Sequence, residues 1–395
     1  RPVYDRVFRQ VYLGPWIRRS KVLTGAEWKS TRYGTETGGK LSHSSVVVYA
    51  LVGAVGYLSY ACQGIGKFAD VFFPWDLAWG PLSSADSYAI GILVITTSYL
   101  LFGGWYSVVV TDLVQFVLLT VASVFIAVVA MNKVSPDQLQ AAVPPGWDNL
   151  WFGWKLDLDW SEYIEGLNTK IYGGGEEKGD GFSLFGFVVT LWLFRGLMVS
   201  AAGPTPGYGI QHVLSTRNPR EAALENWWMS IVQLFPRFLM ITGIAVLGIV
   251  YFSPQVNQMV TDGGNFDFEQ VLPFVTRDFI PVGLVGLVMA GLLAAFMSTF
   301  DSTVNAGAAY VVNDIYKKYF DPNAPRRTLM TMSYMSSIVL VMIAIFVGLQ
   351  ISSINEITKW ITGLLYAGYI VPYILKWHWW RFNGYGYFAG MIAGV

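Results

Sequence analysis

Long apolar runs separated by short polar segments dominate the chain. A run of roughly 18–20 apolar residues is the length that crosses a hydrocarbon core as a helix. The pattern predicts such spans at about 45–66, 86–103, 106–131, 182–203, 228–252, 281–313, 328–350 and 356–375, with a further apolar run opening at 384. The turn between the second and third spans, Phe102-Gly103-Gly104-Trp105, is so short that these two should form an antiparallel hairpin. The last run, too short to cross, and the polar segment 1–44 that begins on Arg1 suggest an internal piece of a larger protein.

Composition supports the pattern. Hydrophobic residues make up 54% of the 395 and charged residues only 13%, against roughly 25% charged in a soluble domain. The forty-one glycines and sixteen tryptophans fit the same class, since both are favoured in and around membrane helices. The single cysteine, Cys62, excludes an internal disulfide and any multi-cysteine metal site. The loops give orientation: if residues 1–44 are cytoplasmic, the segments on that side carry 17 Lys/Arg against six on the other. Acids run the opposite way, seven inside and sixteen outside, counting Asp86 at the edge of its span. The expectation is a multi-pass protein of a cell membrane, plasma or inner. The external 132–181 loop has four tryptophans, Trp147, Trp151, Trp154 and Trp160, which suggest an interfacial anchor or a cap over a vestibule.

Charges within spans are costly and usually mark pathways or paired sites. Here they are Asp112, Arg195, Arg237 and Asp301, with Glu356 and Lys359 near one end of a span. On a helix, Ser298, Ser302, Asn305 and Ala309 fall on one face, and Gly291, Ala294 and Ala295 extend it as a small-residue stripe. Hydroxyls, carbonyls and a carboxylate are what a hard cation such as Na+ takes. The alternative is that the hydroxyls bond their own helix's carbonyls and bend it. Asp112 is open to two readings, an ion-pathway carboxylate or one paired with an arginine. Span four ends in SAAGPTPGYG (200–209), a Gly/Pro break of the kind that marks binding sites in transporters. No GxxxxGK[ST] phosphate loop, HExxH or GxSxG occurs, so neither ATP drive nor an enzyme is supported.

Four stretches in order resemble the sodium:solute symporter family: LTGAEWKSTRYG (23–34), GGWYSVVVTDLVQ (103–115), IQHVLSTRNPREA (210–222) and AAFMSTFDSTVNAGAAYVVNDIY (294–316). In the third, His212 stands where the family usually has arginine. The resemblance implies an all-α, leucine-transporter-type core of two inverted five-helix repeats. It places the last three helices of the first repeat at 45–131 and the second repeat at 182–375, with 132–181 an extracellular loop and 376–395 a cytoplasmic loop and the start of a further helix. It implies half of a conserved sodium site at Ala295, Ser298 and Thr299, and a second cation site at Asp112, Ser298, Asp301 and Ser302. Relatives have a hydroxyl where Asp301 stands, so Asp301 could strengthen that site, carry a proton, or pair elsewhere. Ser200, Gln211 and Asn305 fall in the substrate or gate region.

The implied function is Na+-coupled symport of a small polar solute, a sugar being favoured, by alternating access. Na+ is the coupling ion and no other cofactor is implied. The bilayer, Na+ and the solute are the partners expected, with no nucleic acid and no required oligomer. A solute sensor built on the same module is the alternative, and a channel or a membrane enzyme subunit a third.

Overall fold

The computed structural model describes residues 13–149, 163, 185–204, 206–232, 234–261, 271–351, 361, 363 and 366–394. Among these every regular element is a helix. They are α1 (Gly14–Arg19), α2 (Glu27–Tyr33), α3 (Thr37–Phe72), α4 (Ser84–Lys133), α5 (Pro136–Ala141), α6 (Phe185–Ala202), α7 (Tyr208–Ser215) and α8 (Pro219–Val232). There follow α9 (Leu234–Thr261), α10 (Val271–Phe279), α11 (Val282–Ala309), a π-helix (Tyr310–Phe320), α12 (Arg326–Leu349), α13 (Tyr366–His378) and α14 (Gly384–Ala393). Six helices among the described residues are long and apolar enough to cross a membrane. The sequence pattern predicts eight spans; at the other two, 182–203 and 356–375, the described helices are the shorter α6, Phe185–Ala202, and α13, Tyr366–His378, which runs past the predicted end. Glu356, Lys359, Trp151, Trp154 and Trp160 lie outside the described residues.

Helix α4 has two arms, Ser84–Gly104 and Val108–Lys133. Between them Gly104 takes φ 58° and ψ −161°, a conformation costly for any residue with a Cβ. Tyr99 and Asp112 would be about 20 Å apart on a straight helix, yet each bonds a side chain of the same stretch of α11, Asp301 and Ser298 respectively. The chain therefore reverses here, as the four-residue turn predicts.

The chain divides into two compact units. The first comprises residues 1–117, 196–232 and 292–395. In it α3 is the central post, packed against α2, α12, α14 and the π-helix, while α13 packs on α14 and α1 packs on α7 and α8. Its core is rich in tyrosine: Tyr310, Tyr369, Tyr373 and Tyr387 are buried together with Val46, Ala50 and Met391. The α3–α14 crossing is close because glycines meet there; a Cβ on Gly384 would lie 2.2 Å from the carbonyl oxygen of Gly38. The second unit comprises 118–195 and 233–291. There Ala130 and Val134 pack with Leu247, Phe252 and Val275, and Ser135 and Gln138 form a reciprocal capping box at the start of α5.

A buried hydrogen bond between side chains fastens the first unit. His43 Nε2 on α3 meets Asp314 Oδ1 on the π-helix at 2.8 Å, with both side chains at most 3% exposed. Replacing His43 with leucine would leave a buried carboxylate without its donor. Loss of about 2–3 kcal/mol of stability is expected, read as a lower melting temperature of the purified protein. An unchanged melting temperature would show that the pair contributes nothing net, as some buried pairs do.

Candidate functional site

The site is built where the turn of α4 brings two positions to α11. From the first arm, Tyr99 donates its hydroxyl to Asp301 Oδ2. From the second arm, Asp112 accepts a hydrogen bond from Ser298. Ser298 and Asp301 are three residues apart on α11, hence neighbours on one face. Asp301 is 0% exposed, and Asp112 lies close enough to act on it electrostatically. The partners described for both aspartates are hydroxyls rather than the arginines the sequence also allowed; Arg237 is exposed.

The accounting of acceptors is uneven. Asp301 Oδ1, Asp112 Oδ1 and Gln115 Oε1, one turn beyond Asp112, are buried oxygens with no hydrogen-bond partner. Buried acceptors are normally satisfied, and buried carboxylates are paired or coordinate cations. Two carboxylates that act on each other, each with an unsatisfied buried oxygen, make a site with a deficit of positive charge. A cation with oxygen ligands corrects that deficit, and so does a proton.

The other expected positions lie along α11. Ser302 and Thr303 are buried, and Thr299 is exposed. Thr299 Oγ1 donates to Ala295 O at 3.3 Å, and Thr303 Oγ1 to Thr299 O at 2.7 Å. The back-bonding alternative is thus realised at Thr299, and it also sets the Ala295 carbonyl and the Thr299 hydroxyl side by side. With Ser298 one residue earlier, the three members of the expected half-site share one turn.

Gln211 and Asn305, expected near a gate, line the same cavity, of about 210 Å³, together with Val22, Leu23, Leu214, Ser215, Ala306 and Ala309. Gln211 Nε2 is buried without a partner. Ser200 is buried at the end of α6 and does not line it. The break after α6 is real: Gly203 and Gly207 take φ of 81° and 137° before α7 begins at Tyr208. Carbonyls released by the break are taken up from α13, Ala202 O by Trp377 Nε1 at 3.0 Å and Gly203 O by Tyr369 at 3.4 Å. Tyr99 is the residue that sequence reasoning missed. Its only signal is a phenol in an apolar span shortly before a predicted turn.

Six apolar helices long enough to cross a membrane, a broken helix and a buried acid–hydroxyl cluster define a multi-pass membrane protein. A family model described as the sodium:solute symporter family matches residues 6–147 and 180–394, and the chain belongs to that family. It is 24% identical over 321 residues to a sodium/glucose cotransporter of Vibrio parahaemolyticus, covering 78% of this chain and 55% of that protein. Sodium/myo-inositol cotransporter 2 of Mus musculus is 23% identical over 409 residues, 98% of this chain and 56% of its own. The sodium/sialic acid symporter NanT of Aliivibrio fischeri is 25% identical over 270 residues, 67% and 47%. The chain thus spans about half the length of these curated relatives. Among solved structures, a substrate-bound, outward-open Na+-coupled sialic acid symporter matches with TM-score 0.64 at 17% identity, over 100% of this chain and 81% of that one. The all-α, leucine-transporter-type fold read from the sequence is the fold of the chain.

Proposed function

We infer that the protein is a secondary active transporter that couples inward movement of Na+ to uptake of a small polar solute, with a sugar or polyol favoured. The observation that carries this reading is the meeting of Asp112 and Asp301 on buried, partly unsatisfied oxygens. Family membership supplies the ion, and the names of the relatives, which mention glucose, myo-inositol and sialic acid, favour the solute class.

In this reading Ala295, Ser298 and Thr299 contribute a carbonyl and two hydroxyls to one Na+. Asp112, Asp301, Ser298 and Ser302 hold a second cation. Residues 45–131 are the last three helices of one five-helix repeat and 182–375 the other. Na+ bound between repeats favours solute binding, and that coupling is reciprocal. The cavity between Gln211 and Asn305 offers amide donors and acceptors to a solute on its way through.

The test is uptake of labelled hexoses and inositol into proteoliposomes under an inward Na+ gradient, against K+. Ser298→Ala and Thr299→Ala are each expected to raise the Na+ concentration for half-maximal uptake about tenfold, the effect of about 1.4 kcal/mol per lost oxygen ligand. Uptake indifferent to Na+ and to both substitutions would end the coupling reading.

A further inference from the structure

At the membrane edge assigned to the cytoplasm, two lysines are buried against each other. Lys29 of α2 is 0% exposed and Lys376, near the C-terminal end of α13, is 4% exposed. The two amines face one another, and Lys29 Nζ meets no oxygen acceptor. Aromatic rings wall the pair: Lys376 Nζ is 3.3 Å from the Tyr373 ring centre, and Lys29 Nζ is 4.0 Å from that of Tyr387. Trp28 and Trp377, whose rings are 4.4 Å apart, close the side.

Among the described residues, no carboxylate is seen to face the pair from the elements packed around it. On α2, Glu27 accepts from Leu23 N at 2.7 Å, and Arg32 and Tyr33 carry no negative charge at neutral pH. On α3 and the π-helix, His43 and Asp314 are engaged with each other, Lys40 is exposed and basic, and Lys318 adds only positive charge. From α13, α14 and the π-helix come the phenols Tyr369, Tyr373, Tyr387 and Tyr310. The π-faces of these rings suit one cation. Two ammonium ions in contact with no counter-charge are not tolerated.

Burial pushes the Lys29 amine well below the ordinary lysine range, and burial together with the Lys29 charge does the same to Lys376. The closed pair therefore holds fewer protons than the two amines would in water. Above them, Arg32 binds the end of α13 through Lys376 O at 3.4 Å, Trp379 O at 3.4 Å and Trp380 O at 3.3 Å. Those bonds tie α2 to the end of α13 beside the pair, so that α2 and the two amines move together.

We propose that the Lys29–Lys376 pair is a proton-binding clasp, whose protonation releases α2 from the ends of α13 and α14. The sign follows from the proton count. Lifting α2 exposes both amines to water, where they take up protons, so acidification favours the open form. Between the depressed and the ordinary lysine range, each proton taken up shifts the opening equilibrium up to tenfold per pH unit. The clasp does not depend on which solute or ion the protein carries.

The experiment is hydrogen exchange of the α2 amides in the purified protein in nanodiscs, from pH 6 to 9, corrected for the intrinsic rate. Protection over 27–33 is expected to fall as pH falls, and to lose that dependence in the Lys29→Met/Lys376→Met variant. Equal pH dependence in the two proteins, or none in the unsubstituted protein, overturns the proposal. Should the double variant fail to fold, 15N signals of the lysine Nζ groups in the unsubstituted protein decide. A neutral amine at pH 7–8 supports the clasp, and two ammonium signals persisting to pH 9 overturn it.

Discussion

Asp301→Asn is expected to raise the Na+ concentration for half-maximal uptake by about tenfold to a hundredfold, and to lower the Hill coefficient for Na+ towards one. The substitution keeps an oxygen that can accept from Tyr99, and it keeps the volume of the side chain. What it removes is a charge on a group that is 0% exposed. A lost interaction with a charged group in such a place is about 1.5–3 kcal/mol, which sets the range. Asp112→Asn should move the same two quantities, because Asp112 acts on Asp301 and shares Ser298 with it. Tyr99→Phe separates the roles, since it removes the hydroxyl that Asp301 accepts and leaves the charge in place. Its effect should fall on stability more than on Na+ dependence. If Asp301→Asn leaves Na+ dependence intact while Tyr99→Phe and Asp301→Asn destabilise equally, Asp301 is a structural partner of Tyr99 and no cation ligand.

The second large effect is structural. Gly384→Ala places a methyl 2.2 Å from Gly38 O and 2.4 Å from Gly38 C, distances that no side-chain rotation relieves because both atoms are backbone. Helix α14 must move off α3, and the tyrosine core between them opens. Overpacking of this kind costs about 1–3 kcal/mol and sometimes more, so a clear fall in melting temperature and in the yield of monodisperse protein is expected. Gly91→Ala is the control. A Cβ there meets nothing within 4 Å, and alanine is the better helix former by about 1 kcal/mol. Equal behaviour of the two variants would mean that the α3–α14 contact is not needed for the fold.

Several elements were legible because the bilayer imposes a strict rule on local sequence. Every backbone polar group inside must be bonded within the helix, so the apolar runs at 328–350 and 106–131 map onto α12, Arg326–Leu349, and onto the second arm of α4, Val108–Lys133. The reversal at Gly104 was equally local, two glycines between apolar runs leaving no room for anything but a turn. The break after Ala202 followed from Pro204, Pro206 and three nearby glycines. Span six illustrates where local reasoning stops. Its apolar run predicts 281–313, but the helix continues as a π-helix to Phe320 because Asp314 finds His43 on α3 and Tyr310 fills the core beneath it.

Hydropathy along the chain is enough to show that the protein spans a membrane, roughly where, and which polar residues sit at depth. Asp112, Asp301 and Ser298 stand out in it because polar groups are rare and costly there. Which of these residues meet is visible in the folded chain alone. Tyr99 as the partner of Asp301, the contact of Lys29 with Lys376 across 347 positions of chain, and Gly38 lying against Gly384 are pairings between distant segments. The physical reason is range. Hydropathy and turn chemistry act over a few residues, whereas such contacts are set by how whole helices cross.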